Sequence, residues 1–279
     1  MIIFNKAEDI INYLSIVRHK NKSIGFVPTM GALHNGHMSL IKDAIIQVDI
    51  VVCSIFINPT QFNDPEDFDK YPKTIEQDIY QLEKSGCNVL FLPTTNEIYP
   101  NGLKSEIYFD LGYVETILDG KYRKGHFQGV CQVVHRFLEI ILPDSLFLGQ
   151  KDFQQCMVLK KMSEQYHPTL QVIICPTLRE QDGLAMSSRN VRLSSEQRKM
   201  AAKLYATLQM IKQTIVPGNL DDLKSNAVQY LTSQSFKVDY IEIANSTTLQ
   251  LVHNWDGKEE IVILVAAFLN EVRLIDNLL

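Results

Sequence analysis

Residues 50–57 read Ile-Val-Val-Cys-Ser-Ile-Phe-Ile, a run in which Ser54 is the single polar side chain. A strand with one wet face alternates apolar and polar residues, so an unbroken run of this kind needs cover on both faces. The preceding segments can supply part of that cover. Residues 38–47 carry apolar side chains at helical spacing, and residues 23–28 form a second short apolar strand that leads into that helix. Strand, helix and strand with fully apolar strands indicate a parallel βαβ unit with a right-handed crossover.

The rhythm continues along the chain. Helices are predicted over residues 10–19, 74–85 (with Thr74 as N-cap), 130–142 and 157–166. Strands are predicted over 87–92, 144–148 and 170–175. Residues 93–113 look irregular, with one edge strand expected over 106–111. Proline at 176 and the loss of the βαβ pattern mark a junction, and residues 176–190 read as a long polar loop. Beyond it, helices over 194–215 and 220–233 and strands over 237–243, 260–267 and 272–276 predict a small α+β domain. The fold class expected is therefore α/β, with a parallel sheet in residues 1–177 and a smaller α+β domain in residues 178–279.

Composition narrows the function classes. With 46% hydrophobic and 21% charged residues, the chain is an ordinary globular mixture, and its net charge of -5 argues against a general nucleic-acid binder. Cys53, Cys87, Cys131, Cys156 and Cys175 are too scattered for a metal clip and read as reduced, mostly buried thiols. No apolar run approaches membrane-spanning length, and residues 1–9 lack a basic stretch followed by an apolar one. A cytoplasmic protein without membrane contact is expected.

The residues that carry chemistry cluster at the ends of predicted strands. Pro28-Thr29-Met30-Gly31-Ala32-Leu33-His34-Asn35-Gly36-His37 leaves the first buried strand through a glycine-punctuated turn and enters a helix. Unpaired N–H groups and the dipole at a helix start favour anions, and imidazoles can donate to phosphoryl oxygens. Two histidines three apart are also an ordinary helix cap or half of a zinc pair. Gly36 and the lack of a third ligand nearby suit phosphate better than metal. Lys151 follows a buried strand through Gly149, and Arg189 closes Met186-Ser187-Ser188-Arg189. Each cation alone reads equally as a solvated charge, but both could neutralise a transferring phosphoryl group while Ser187 and Ser188 donate hydrogen bonds. Gln61 and Gln155 could clamp a small hydroxylated molecule or be plain surface polarity. The acidic stretch Asp64, Glu66, Asp67 and Asp69 reads as a solvated loop.

His34-Asn35-Gly36-His37 resembles the His-x-Gly-His signature of the nucleotidyltransferase and class I aminoacyl-tRNA synthetase superfamily. Met186-Ser187-Ser188-Arg189-Asn190 resembles a variant of its Lys-Met-Ser-Lys-Ser loop. Together with Ile55-Phe56-Ile57-Asn58-Pro59-Thr60-Gln61-Phe62, Gly125-His126-Phe127-Gln128-Gly129-Val130 and Phe147-Leu148-Gly149-Gln150-Lys151-Asp152-Phe153-Gln154-Gln155, they resemble the pantothenate synthetase family, the pantoate:β-alanine ligases, over essentially the whole chain.

The resemblance implies a Rossmann-like ATP- and pantoate-binding domain over residues 1–177, a lid over residues 178–279 and a homodimer. It implies that pantoate and ATP form pantoyl adenylate and pyrophosphate, after which β-alanine displaces AMP. Pro28, Thr29, Met30, His34, Gly36, His37, Gly149, Lys151, Asp152, Met186, Ser187, Ser188 and Arg189 then match ATP-binding positions. Of these, His34, His37, Lys151, Ser187, Ser188 and Arg189 carry the catalysis, with Asp152 at the ribose hydroxyls. Met30, Phe56, Gln61 and Gln155 match positions around pantoate, Phe56 packing against its gem-dimethyl group. Asp78 lies where the family places a magnesium-associated acid, Mg²⁺ accompanying ATP, and Tyr71 and Arg123 lie near the site. Lys124 departs from the proline frequent at its position. The rival readings are a nucleotidyltransferase whose nucleotidylated product leaves, and a nucleotide-binding regulatory protein with a dead site.

Overall fold

The computed structural model describes residues 1–103 and 107–279. In chain order its elements are β1 (Ile2–Phe4), α1 (Ala7–His19), β2 (Ile24–Thr29), α2 (Asn35–Gln47), β3 (Ile50–Ile55), α3 (Pro65–Asp69), α4 (Ile75–Lys84), β4 (Val89–Phe91) and α5 (Thr95–Ile98). There follow α6 (Leu118–Tyr122), α7 (His126–Ile141), β5 (Ser145–Gly149), α8 (Phe153–Tyr166) and β6 (Gln171–Cys175). The remainder holds α9 (Ser195–Ala201), α10 (Lys203–Thr214), β7 (Gly218–Asn219), α11 (Asp221–Ser233), β8 (Phe236–Asn245), β9 (Asn254–Trp255), β10 (Ile261–Leu269) and β11 (Val272–Leu278). The chain divides into two compact units: Met1–Gly112, Arg123–Gly149 and Val158–Pro176 form the first, and Tyr113–Tyr122, Gln150–Met157 and Thr177–Leu279 the second.

The first unit is built on a parallel sheet of order β1-β4-β3-β2-β5-β6. Its central strands β2, β3, β4 and β5 are buried on both sides, as their unbroken hydrophobicity requires, whereas the edge strand β1 is largely exposed. On one face Val27, Val51, Cys53, Leu90 and Phe147 pack with Leu40, Ile41 and Ala44 of α2 and Leu82 of α4. Adjacent strand residues point to opposite faces, so Phe26 turns the other way. There Phe137 of α7 meets the rings of Phe26, Phe56 and Phe91 at 5.5, 6.1 and 6.0 Å. From central β2 the chain builds outward through β3 and β4, then returns to β5 on the other side. The strand order thus reverses between β2 and β5 while the strands stay parallel, and ligands of open α/β sheets bind outside the carboxyl ends of strands at such a switch point.

The second unit contains the antiparallel sheet β11-β10-β8 and the short pair β7-β9. Leu204, Leu208 and Ile211 of α10 and Ala227 and Leu231 of α11 cover one face through Ile241, Ile243, Ile263 and Val265. The alternate residues Ala244, Val262 and Leu264 face Leu118 and Phe153. Those two residues belong to the stretches 113–122 and 150–157, which is why the second unit draws on both. A polar clamp adds to this packing: Arg273 donates at 2.8 Å to Asp119 and at 2.8 Å to Asp239, and the Tyr240 hydroxyl donates to Asp119 at 2.9 Å.

Several local features differ from the sequence-based expectations. β1 is not foreshadowed, since its three residues are too few to show periodicity. The edge strand expected over 106–111 is absent from residues 107–111, and Glu106 lies outside the described residues. The backbone of Phe109 instead bonds the Gln128 side chain in both directions, at 3.1 and 3.0 Å, which satisfies it without a ladder. α7 starts at His126, four residues before the expected position, because Gly125 takes φ 78° and turns the chain into the helix early. Thr74 is the N-cap residue of α4 as expected, but its side chain makes no capping hydrogen bond to the backbone; its hydroxyl instead donates to Asp78 Oδ1 at 3.1 Å. The helix expected over 194–215 is two, meeting at Ala202. All five cysteines are buried and none is in a disulfide, and no helix among the described residues is long and apolar enough to cross a membrane.

One pair of side chains in the first unit makes its stability depend on pH. His135 Nδ1 lies 2.9 Å from His167 Nε2, with the rings of Phe109 and Tyr166 against His135 and Glu139 3.6 Å from its Nε2. Burial holds both imidazoles below the ordinary histidine value of 6.5, Glu139 opposing the shift. The folded chain therefore binds these protons less readily than the unfolded one, so the contribution is complete above 6.5 and is lost as the pH falls through the folded values. Urea-unfolding midpoints measured from pH 7.5 downward should fall below 6.5, and less steeply in His167→Gln. Parallel profiles for the two proteins would exclude the pair as the source.

Candidate active site

At the carboxyl end of β2 the chain turns through Gly31 at φ 82° and Ala32 at φ 49° before entering α2. A Cβ on Gly31 would sit 3.1 Å from Asp78 Oδ2 and 3.1 Å from Ile55 Cγ2, so conformation and space both favour glycine there. The turn is held from beneath by the fully buried Asp78 of α4, whose Oδ2 accepts from the Ala32 N–H at 2.9 Å and Oδ1 from the Leu33 N–H at 2.8 Å. Thr29 completes the support, donating to Ser54 O at 2.6 Å and accepting from the Gly31 N–H at 3.3 Å.

His34 is the N-cap of α2, and the two histidines cap the helix reciprocally. The Gly36 N–H donates to His34 Nδ1 at 3.1 Å and the His34 N–H to His37 Nδ1 at 3.2 Å. The rings lie 4.0 Å apart. Because each Nδ1 accepts, the proton of each neutral imidazole sits on Nε2, and both rings present a donor there. Two imidazole donors at a helix N-terminus form an anion-receptive edge.

Beside this edge the turn after β3 holds Gln61 in one orientation. Gln61 Nε2 lies 3.1 Å from Met30 Sδ, while Gln61 Oε1 accepts from Asn58 Nδ2 at 3.0 Å. Asn58 is buried, also donates to Gly129 O at 3.1 Å, and accepts the Tyr99 hydroxyl on Oδ1 at 2.7 Å. His126 donates from Nδ1 to Gln61 O at 2.8 Å. The carbonyl end of the Gln61 amide is thereby fixed on protein, leaving the amino end directed to Met30. Burial pushes the Tyr99 phenol up to about 12, so it remains a donor at physiological pH. Gly129 passes so near that a Cβ would meet Thr60 O at 2.3 Å. Phe56 is buried, 6.2 Å from the Tyr99 ring. Tyr71 is buried against Phe62, Arg123 is half-buried, and Asn63 donates to the Lys124 carbonyl at 2.7 Å.

In the second unit the chain leaving Gly149 forms a single 3₁₀ turn, Gln150–Asp152, that carries Lys151. Its ammonium lies 3.6 Å from Asp152 Oδ1 and its side chain is mostly covered. Gln155 is half-buried on the first turn of α8. Residues 179 and 185 bridge, and the chain then passes Met186 into a 3₁₀ turn, Ser188–Arg192, capped by Ser187, whose Oγ accepts from the Arg189 N–H at 3.3 Å. Met186 through Asn190 are all half-buried.

The sequence-predicted residues thus fall into two groups. Pro28, Thr29, Met30, His34, Gly36, His37, Phe56, Gln61 and Asp78 gather at the carboxyl ends of β2 and β3, together with Gly149 at the end of β5. Lys151, Asp152, Gln155, Met186, Ser187, Ser188 and Arg189 lie in the second unit. Asp78 does not fit a metal-ligand role: both oxygens are engaged by backbone N–H groups, and among the described residues no cluster of three or more His, Cys, Asp or Glu could hold a metal ion. Sequence reading missed Asn58 and Tyr99 as the support of Gln61. Asn58 before Pro59 does signal a turn cap, but nothing local points from Tyr99 to it.

A family model described as pantoate-beta-alanine ligase matches residues 2–279. A pantothenate synthetase of Porphyromonas gingivalis is 41% identical over 285 residues, covering 100% of this chain and 99% of that protein. One from Marinomonas sp. is 42% identical over 280 residues, with coverage of 100% and 99%. Among solved structures, pantothenate synthetase from Thermus thermophilus superposes with a TM-score of 0.90 at 35% identity, covering 100% of this chain and 99% of that one. Pantoate-beta-alanine ligase from Francisella tularensis, complexed with beta-gamma ATP and beta-alanine, has a TM-score of 0.82 at 39% identity, with coverage of 100% and 97%.

The Asp78 arrangement has a measurable consequence. Asp78→Ala leaves the Ala32 and Leu33 N–H groups without that acceptor and should lower unfolding free energy by about 3 kcal/mol. Equilibrium urea denaturation checks this, and an unchanged midpoint and slope would contradict it.

Proposed function

The chain belongs to the pantoate-beta-alanine ligase family, and we propose that it condenses pantoate with β-alanine to pantothenate, converting ATP to AMP and pyrophosphate. In the first step a pantoate carboxylate oxygen attacks the α-phosphorus of ATP and the bond to pyrophosphate breaks, giving pantoyl adenylate. In the second the free amine of β-alanine attacks the acyl carbon, AMP leaves, and the amine proton is released. The carrying observation is the reciprocal cap of His34 and His37, which supports two Nε2 donors at a helix N-terminus.

In this reading His34 and His37 donate to phosphate oxygens, Lys151, Ser187, Ser188 and Arg189 grip the triphosphate, and Asp152 meets the ribose hydroxyls. Pro28, Thr29, Met30, Gly36, Gly149 and Met186 line the nucleotide. The Gln61 amino group, with its carbonyl held by Asn58, offers a donor to pantoate. Gln155, Met30 and Phe56 complete the pantoate site. Both reactants of the first step are anions, so catalysis consists mainly of charge compensation and alignment. Mg²⁺ is proposed to accompany ATP, to which it would supply further positive charge. The proposal extends to residues 1–177 as the ATP- and pantoate-binding domain, residues 178–279 as a lid, a homodimer, and a cytoplasmic location.

Two experiments test it. AMP formation, followed with each substrate omitted in turn, should require ATP, pantoate and β-alanine together. A stable nucleotidylated product released without β-alanine would instead support a nucleotidyltransferase. Lys151→Ala and His37→Ala should each reduce pantoate-dependent ATP–pyrophosphate exchange by about a hundredfold while the protein remains folded; near-parental exchange in either removes that residue from the chemistry.

A further inference from the structure

Asn277 lies near the end of β11 and is 1% exposed. Its backbone belongs to the ladder with β10, opposite Leu264, but its side chain does different work. Asn277 Nδ2 donates to Gln150 O at 2.9 Å and to Lys151 O at 2.9 Å, and Asn277 Oδ1 accepts from Gln150 Nε2 at 3.1 Å. Both donors and an acceptor of the amide are thus spent on one three-residue turn. Two successive carbonyls that converge on a single nitrogen fix the peptide planes on either side of Lys151, and so the direction in which its side chain leaves the backbone.

The amide itself stands on a firm base. The neighbouring Asp276 carboxylate accepts from Arg179 Nη1 at 2.6 Å, from Arg179 Nη2 at 2.9 Å and from the Asn277 N–H at 2.8 Å. Arg179 Nη2 also donates to Asn277 O at 3.0 Å, and its guanidinium stacks 3.9 Å from the centre of the Tyr205 ring. Arg179 bridges to Ala185, whose carbonyl accepts from Asn190 Nδ2 at 3.1 Å. One buried dipeptide therefore ties the turn that carries Lys151 to the hairpin that leads into Ser187, Ser188 and Arg189.

We propose that Asn277 is a positioning residue for ATP binding, setting the Lys151 ammonium by clamping the Gln150 and Lys151 carbonyls. The proposal rests on the triphosphate role given above to Lys151. Asparagine is the side chain the contacts demand: aspartate would oppose oxygen to both carbonyls, and alanine would leave them without the donor.

The test is equilibrium ATP titration by calorimetry of the parent, Asn277→Ala, Lys151→Ala and the double variant, with thermal melts recorded alongside. Asn277→Ala should weaken ATP affinity about tenfold with unchanged stoichiometry. On the Lys151→Ala background the same change should alter affinity by less than about twofold, since a residue that acts through Lys151 has nothing left to act on. A purely structural role would lower the number of competent sites without changing their affinity, or would weaken both backgrounds alike, and either result overturns the proposal. Should Asn277→Ala fail to fold, Gln150→Ala, which removes only the contact that orients the Asn277 amide, decides: about a threefold loss of affinity, absent on the Lys151→Ala background, is expected. Parental affinity in the folded variant tested, with Lys151→Ala impaired, refutes the positioning role alone. Parental affinity in Lys151→Ala itself refutes the triphosphate role of Lys151 instead.

Discussion

The buried carboxylate of Asp78 accepts the backbone N–H groups of Ala32 and Leu33, and the turn between β2 and α2 depends on it. That turn contains two successive residues at positive φ, one of them a non-glycine, a conformation that needs external support to persist. Asp78 supplies the support, and its own burial is made tolerable by the same two bonds and the Thr74 hydroxyl. With the turn fixed, His34 arrives at the N-cap of α2 and His37 one turn along, where their mutual capping sets which nitrogen of each ring accepts. The phosphate-facing chemistry proposed for the histidines thus begins with a residue that need not touch substrate.

The same device recurs where a turn leaves a strand or helix. Asn58 holds the carbonyl end of Gln61 and is held by Tyr99. Asn277 holds the turn of Lys151 and is held through Asp276 by Arg179. In each case a short buried polar side chain spends its hydrogen bonds on a neighbouring loop, and a longer side chain from elsewhere secures it in turn. Loops fixed this way lose little entropy on binding, which suits a reaction between two anions whose main obstacle is charge and alignment.

Much of the architecture was legible because it is written in periodicity. The apolar run ending at Ile57 demanded a sheet covered on both sides, and the alternating helices and strands up to Cys175 supplied a parallel one. What escaped was short or governed by distant partners. β1 has three residues and no period. Residues 107–111 look extended, yet their backbone is satisfied by Gln128 rather than by a strand. The sequential boundary after residue 177 could not reveal that stretches 113–122 and 150–157 pack with the second unit, because the Leu118 and Phe153 contacts with β8 and β10 join residues about a hundred positions apart.

By itself the sequence determined the fold class and the family, and it singled out His34, His37, Gln61, Lys151 and Arg189 as candidates for the proposed chemistry, since spacing, composition and motif are properties of the chain read along its length. The tertiary structure alone decided how those residues are set. Asp78, which the family resemblance implied as a magnesium-associated acid, is the anchor of a turn 45 residues earlier. The Gln61 amide gained its direction from Asn58, itself held by the distant Tyr99, and Asn277, which no motif marks, reached back 126 residues to Lys151. A side chain's role is fixed by the donors and acceptors it meets, and folding supplies those from distances that no local pattern encodes.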